Sequence, residues 1–450
     1  MNNFKRTGIS RHLIAGVILV SSISSASAID LLQAYNAAQA NDATVLAARA
    51  AAQAGRERIP QARSQLMPNV VINVSATQNQ LSSTTTNFLG QEQTSEASYP
   101  SGSQALVIRQ PLYRPQLTAQ LRQARAQVQD VEALLAQEEQ SLVARVSGAY
   151  FDALAAYEQL DIVLAQRTNY TTQLDAARKI FAAGSGTRTD VDEALSRLDL
   201  TAALEIEARQ NVTFTLQQLQ TMVKQPIDKV ARLDAQRFDL RDAKTDSLQS
   251  WVDRAEGASP QLESLKAQVE VARQEIDKAR AGHRPTLDAV AQWSRSESES
   301  VTNLRSTYTN ASIGVQLSIP IFSGGSVNSA VRQALAGQER AEQALEAARR
   351  DLGVRVFKEY RGVTDSVAKI KALEQAVRSA DQLVLSSSRS FQAGSRTLVD
   401  VSNAQQQRLV VLRELAQTRF VHLASRLRLQ ALAGAADLGA VSAVNSLLQP

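Results

Sequence analysis

Residues 181–194, Phe-Ala-Ala-Gly-Ser-Gly-Thr-Arg-Thr-Asp-Val-Asp-Glu-Ala, return 210 positions later as residues 391–404, Phe-Gln-Ala-Gly-Ser-Arg-Thr-Leu-Val-Asp-Val-Ser-Asn-Ala. Phe, Ala, Gly, Ser, Thr, Asp, Val and Ala recur at matching places, and two further landmarks recur in the same order. Ala62-Arg63 leading to Pro68 matches Ala279-Arg280 leading to Pro285. Pro111-Leu112-Tyr113, followed by Arg122-Gln123-Ala124, matches Pro320-Ile321-Phe322 followed by Arg332-Gln333-Ala334. The chain therefore reads as a duplication, and its architecture must be two copies of one plan.

Each copy is dominated by a very long helix. After Pro115 the chain has no proline and only Gly148 as far as Ala183. Apolar or alanine positions at Leu117, Leu121, Ala124, Val128, Val131 and Leu135, then Leu142, Val146, Ala149, Ala153, Tyr157, Leu160 and Leu164, form a heptad seam. A helix of this extent is a rod of about 100 Å, far longer than a compact domain needs. The second copy predicts the same from about Ser326 to Ala393. Gly184 and Gly394 suit the left-handed turn that ends each rod, and Thr187 and Thr397 suit the cap of a returning helix, Thr189–Lys224 or Val399–Leu432. The returning helices reach about half the rod. Helical stretches at Ile29–Gln65 and Ser259–Ala281 are expected to supply the other half, and Gln225–Gly257 reads as a small mixed belt outside the rods.

Between the helix groups the pattern changes to period two. Val70, Ile72, Val74 and Ala76 oppose Val71, Asn73, Ser75 and Thr77; Thr309 through Ile319 alternates in the same way, as does Leu287 through Trp293. Strands are predicted at about 68–80, 103–112, 285–295 and 307–322, with polar loops at Gln78–Ser98 and Ser294–Ser306. Strands of about ten residues with one apolar and one polar face suit a membrane barrel, and Trp293 and Tyr308 near strand ends suit its aromatic girdle. A half-buried strand in a soluble sandwich alternates alike. Four strands cannot close a barrel, since the smallest single-chain barrels need about eight. The chain must then pool strands with copies of itself, and strand number alone permits a dimer, a trimer or a larger ring.

Lys5, Arg6 and Arg11 precede an apolar run from Leu13 to Val20 and then Ala26-Ser27-Ala28, the pattern of a secretory signal cleaved after Ala28. Its loss lowers the formal charge from +5 to +2, which leaves no basic footprint for nucleic acid. The chain has no cysteine, which excludes disulfides, zinc–thiolate sites, thiol nucleophiles and lipid attachment at a terminal cysteine. His283 and His422 have no neighbouring ligands in sequence, and no metal or cofactor is expected. Gly184-Ser185-Gly186-Thr187 follows a helix and lacks the lysine of a phosphate loop. The chain reads as no enzyme, and energy for any transport must come from a partner.

The duplicated Phe-x-x-Gly-x-x-Thr-x-x-Asp-Val, the Pro-Ile-Phe-Ser-Gly-Gly run at 320–325 and the twofold helix–strand–strand–helix order resemble the TolC family of outer-membrane channel-tunnels. The resemblance covers essentially all of the mature chain. It implies an α+β membrane protein: a homotrimer in which each chain gives four strands to one β-barrel in outer-membrane lipid. A long antiparallel coiled-coil tunnel then runs into the periplasm. It also implies a periplasmic adaptor and an inner-membrane transporter, most simply of ABC type, as partners, with type I protein secretion closer than multidrug efflux. The parts so expected are a signal at 1–28, a first repeat at 29–225, a linker at 226–257, a second repeat at 258–435 and a tail at 436–450.

Matched by residue, the resemblance implies a gate latch at Thr189 and Asp190 on one tip and at Phe391 and Arg396 on the other, with Asp190 bridged to Arg396. Phe391 stands where the family typically has a tyrosine and lacks the hydroxyl that would join this network. An entrance ring of acids falls on Asp400 and Asn403, the second an amide here. Gly184, Ser185, Thr187, Gly394, Ser395 and Thr397 are the expected docking surface for the adaptor. From the residues alone, Asp190 and Arg396 read as solvated helix-capping groups, and it is the resemblance that favours the latch. The competing functional class is a periplasmic coiled-coil scaffold without a pore, and a passive porin is disfavoured because so much of the chain is helix.

Overall fold

The computed structural model describes residues 28–234, 237–238, 246–298, 306–435 and 438–449. Except for Ala28, the expected signal lies outside the described residues. Two rods dominate: α4 (Pro115–Ala182) and α8 (Ser326–Gln392), of 68 and 67 residues. Pro115 opens α4 at a position where its missing N–H leaves no bond unmade. Each rod turns back into a helix of half its length, α5 (Arg188–Val223) or α9 (Leu398–Leu432). Before α4 come α1 (Leu31–Asn41), α2 (Ala43–Arg56) and α3 (Arg58–Ser64); before α8 come α6 (Leu248–Ala258) and α7 (Pro260–Arg280). Helices α2 and α3 run along α4, and α7 lies between α4 and α8, so each rod is partnered on both sides of the α5 and α9 ends.

The stretch expected as one helix over 29–65 is broken, and Asp42 is the reason. Its backbone is extended (ψ 121°) and its carboxylate accepts the amides of Thr44 and Val45 at 3.0 Å, which starts α2 afresh. The Arg145 guanidinium on α4 donates to the same carboxylate at 2.9 Å, so the break is pinned to the rod.

The main core lies at mid-height. Leu142, Val146, Tyr150 and Leu154 of α4 pack with Leu31 of α1, Leu219 and Val223 of α5, and Phe420, Leu423 and Leu427 of α9. Ile227, Val230 and Ala231 belong to this core, so the belt is knitted into the rods rather than laid outside them. The expected C-terminal tail is also structural. Val441 and Val444 of α10 (Leu438–Asn445) and Leu448 are buried there, and β6 (Leu448–Gln449) pairs with β3 (Arg232–Leu233). Tyr150 is fully buried, and its hydroxyl donates to the carbonyl of Ala231 at 2.8 Å, with the Ile29 carbonyl 3.2 Å away.

At one end of the rods stands an antiparallel sheet, in the order β1 (Asn69–Thr86), β2 (Glu92–Tyr113), β4 (Thr286–Ser298), β5 (Ser306–Ser318). Register aligns Ile72, Leu106, Trp293 and Ala311 in one row and Val70, Ile108, Ala291 and Ile313 in the next. Directly paired residues share a face, so the apolar face is continuous across all four strands. It lies open, with Ile72 71 % and Ile313 88 % exposed. The other face carries Ser75, Ser103 and Ser296 in one row, with the Ser75 and Ser103 hydroxyls 2.8 Å apart. Tyr308 pairs with Ser296 and so sits on this polar face, opposite to Trp293.

The loop expected at 78–98 is mostly strand. β1 and β2 stay paired from Gln78–Pro100 to Thr86–Glu92, beyond the point where β4 begins to pair at Ser101. Asn87 closes the hairpin by accepting the Leu89 and Gln91 amides at 3.0 Å, and Gly90 takes a positive φ of 78°. β5 stops at Ser318 rather than at 322, just before Pro320, which has no N–H for a ladder.

Candidate functional site: the paired hairpin tips

The duplicated motif makes two tips of the same construction. In the first, Gly184 (φ 75°) donates its amide to the Phe181 carbonyl at 2.9 Å, and Ser185 donates to Ile180 at 3.2 Å. In the second, Gly394 (φ 74°) donates to Phe391 and Ser395 to Ser390, both at 2.9 Å. This is a Schellman ending, which needs a left-handed residue that glycine adopts without strain. Both serine hydroxyls reach back as well, to Ile180 at 3.4 Å and to Ser390 at 3.0 Å.

The next helices start in the same way. Thr187 caps α5 by accepting the Asp190 amide at 3.2 Å, while its amide and hydroxyl donate to the Asp190 carboxylate at 3.1 and 2.7 Å. Thr397 and Asp400 repeat the arrangement, at 2.9 and 2.7 Å to the carboxylate. These bonds hold both carboxyls below the ordinary value of 3.8, led by the Thr187 hydroxyl at Asp190 and by the Thr397 amide at Asp400. Thr189 is exposed in the first turn of α5.

Within one protomer Asp190 and Arg396 are not joined. Asp190 is occupied with its cap, and Arg396 donates from Nη1 to the buried Ser387 hydroxyl at 2.8 Å. The tips meet instead across a cleft of about 210 Å³ in which Phe391, Leu398 and Val399 face Ile180, Ala194 and Asp190. Phe391 contributes apolar surface there, a role for which a ring without a hydroxyl is suited.

Polar bonds along the wall of the cleft join the hairpins, and sequence reasoning missed them. Arg197 of α5 binds Glu193 on its own helix at 2.6 Å and reaches across to Ser402 Oγ at 3.1 Å and Asn403 Oδ1 at 3.4 Å on α9. Further up, Gln173 donates to Gln405 and Tyr170 to Gln406, both at 3.3 Å. The available signal was the Glu193–Arg197 spacing of four on a helix, which by itself reads as a solvated pair. Asp400 and Asn403, the expected entrance ring, thus differ in this protomer: one is a cap and the other accepts from Arg197. At the far end of the rod, Arg114 ahead of α4 forms a two-pronged pair with Asp288 of β4, the Nε bond being 2.9 Å.

Among the described residues no helix is long and apolar enough to cross a membrane. An amphipathic sheet bearing 68-residue rods and paired tips instead defines a channel protein of the outer membrane with a periplasmic extension. Comparison with known proteins makes the assignment specific. The profile of the outer membrane efflux protein family matches residues 34–223 and 251–435. The alkaline protease secretion protein AprF of Pseudomonas aeruginosa is 33 % identical over 424 residues, covering 94 % of this chain and 88 % of AprF. The proteases secretion protein PrtF of Dickeya chrysanthemi is 30 % identical over 421 residues, covering 93 % and 91 %. Among solved structures, the Campylobacter jejuni CmeC outer membrane channel superposes with a TM-score of 0.77 over 100 % of this chain and 98 % of its own, at 13 % identity, which speaks to fold alone. The chain belongs to the outer membrane efflux protein family. It is an outer-membrane channel protein and not an enzyme, and the scaffold reading falls.

Proposed function

We propose that three copies of this chain form one exit duct that carries substrate from an inner-membrane transporter and its periplasmic adaptor across the periplasm and the outer membrane. The observation that carries the reading is the open sheet. β1 and β5 each have one edge without a partner strand among the described residues, while the apolar face is continuous. In lipid each unpaired edge group costs several kcal/mol, so the edges must close on other copies, and the exposed Ile72 and Ile313 rows then face the hydrocarbon. The rods extend the barrel into a tunnel, and the tips form its far end. There Gly184, Ser185, Thr187, Gly394, Ser395 and Thr397 receive the adaptor, and Asp400 and Asn403 line the narrow entrance. Asp190 and Arg396, each satisfied within its own tip, form their latch between neighbouring protomers.

The cargo class is a protein of a type I secretion system. AprF and PrtF, the two relatives described above, are both named for protease secretion, and that supports this reading over drug efflux. Two experiments test it. Purified mature protein in a planar bilayer should give small, discrete currents, and a correctly folded protein that never inserts overturns the duct. Deletion of the gene should remove a secreted polypeptide from the medium while drug susceptibility stays unchanged; the reverse pattern replaces protein secretion with multidrug efflux.

A further inference from the structure

We propose that Arg197 is the clamp that holds the two hairpins of a protomer together in the resting duct, acting through neutral acceptors rather than through a carboxylate on the opposing helix. The inference rests on the duct reading and names the residues that regulate it. Near the tips Arg197 reaches from α5 to α9 by hydrogen bonds, beside the cleft that Ala194, Leu398 and Val399 line. The guanidinium divides its donors: Nη2 goes to Glu193 at 2.6 Å on its own helix, and Nη1 goes to Ser402 at 3.1 Å and Asn403 at 3.4 Å on the other hairpin. Its charge is therefore balanced without α9.

Two consequences follow from that division. At Arg197, parting the hairpins breaks the bonds to a hydroxyl and an amide, and the guanidinium keeps its carboxylate partner throughout. No charge is left unpaired in the open state, so the opening cost is small and recoverable. Asparagine at 403 is then functional rather than a weakened acid, because its oxygen accepts while adding no charge that would bind Arg197 too firmly to release. The Gln173–Gln405 and Tyr170–Gln406 bonds, which join neutral groups, continue the same reversible seam.

The test uses the full-length mature protein in planar bilayers. Arg197→Ala should raise the open fraction by about tenfold or more, the factor that a hydrogen bond from a charged donor carries. Asn403→Ala should do so partly, and the double variant should gain little over Arg197→Ala. Asn403→Asp should shift the channel toward the closed state and make closure weaken with salt, which the wild type does not show. Unchanged opening in Arg197→Ala, or full additivity with Asn403→Ala, overturns the clamp. Because the chain has no cysteine, spin labels at Ser185→Cys and Ser395→Cys report tip separation without any current. The separation should broaden in Arg197→Ala, and an unchanged distance overturns the clamp even where channel formation itself fails.

Discussion

Replacing Gly184 with alanine isolates the cost of the left-handed turn at a tip. Its φ is 75°, and an added Cβ would meet nothing within 4 Å, so the penalty is confined to the backbone. Holding an alanine in that region costs about 1–2 kcal/mol. The amides that lose protection are those of Gly184 and Ser185, bonded to Phe181 and Ile180. Their local opening constant should rise about five- to thirtyfold, the factor that such an energy represents. Hydrogen exchange followed by mass spectrometry on peptides spanning 180–190 reads this directly. Gly394→Ala, at φ 74° and equally open, should produce the same acceleration over 390–400 and leave the first tip alone. Gly257→Ala is the control: it lies within helix α6, has no neighbour within 4 Å and no positive φ, and should stabilise its helix by about 0.5–1 kcal/mol. Unchanged exchange at 180–190 in Gly184→Ala, or an equal slowing in all three variants, would refute the reasoning.

The caps should respond to acid. Asp190 and Asp400 titrate below their ordinary 3.8, so the stability they lend is full above that value and is lost as pH falls through the depressed one. Tip exchange should be protected at pH 5 and above and accelerate below about pH 4, and Asp190→Asn should flatten that acid response at the first tip only. Arg114→Ala leaves the Asp288 carboxylate, 5 % exposed, without its partner and should cost about 3 kcal/mol; Arg114→Met with Asp288→Leu should recover most of it, read as the temperature at which the assembly dissociates on a denaturing gel. Tyr150→Phe takes the hydroxyl donor from the buried Ala231 carbonyl and should cost about 1–3 kcal/mol in thermal melts followed by circular dichroism, whereas Tyr157→Phe, whose hydroxyl meets the Asp228 carbonyl at an exposed site, should change little.

What was legible in the sequence is what local chemistry decides. The rods, their ends and the tips follow from a proline-free heptad seam and from Gly-Ser and Thr-x-x-Asp, whose bonds all close within a few residues. The apolar sheet face followed from period two. Features made by distant partners were not legible. Asp42 looked like any helical acid; its cap on Thr44 and Val45 makes the break, and Arg145, on another helix, holds the carboxylate there. The polar run 78–98 looked like loop because its Ser and Thr side chains gain strand character only from the partner strand, as in the 3.0 Å Thr84–Thr94 contact. The tail joins the core through residues more than 200 positions away. Arg197 was hidden by its helix-mate Glu193, which explains its charge without reference to α9.

The projecting β1–β2 hairpin breaks the symmetry that the duplication imposes elsewhere. Among the described residues the strand pairing that runs past Ser101 is that of β1 with β2, which leads to a turn whose Phe88 is 96 % exposed. In the duct proposed above, such fingers would stand at every second hairpin, each mostly serine, threonine, asparagine and glutamine. Residues 87–91 are all exposed, so an epitope or affinity tag inserted there should be displayed on living cells without disturbing the helices below.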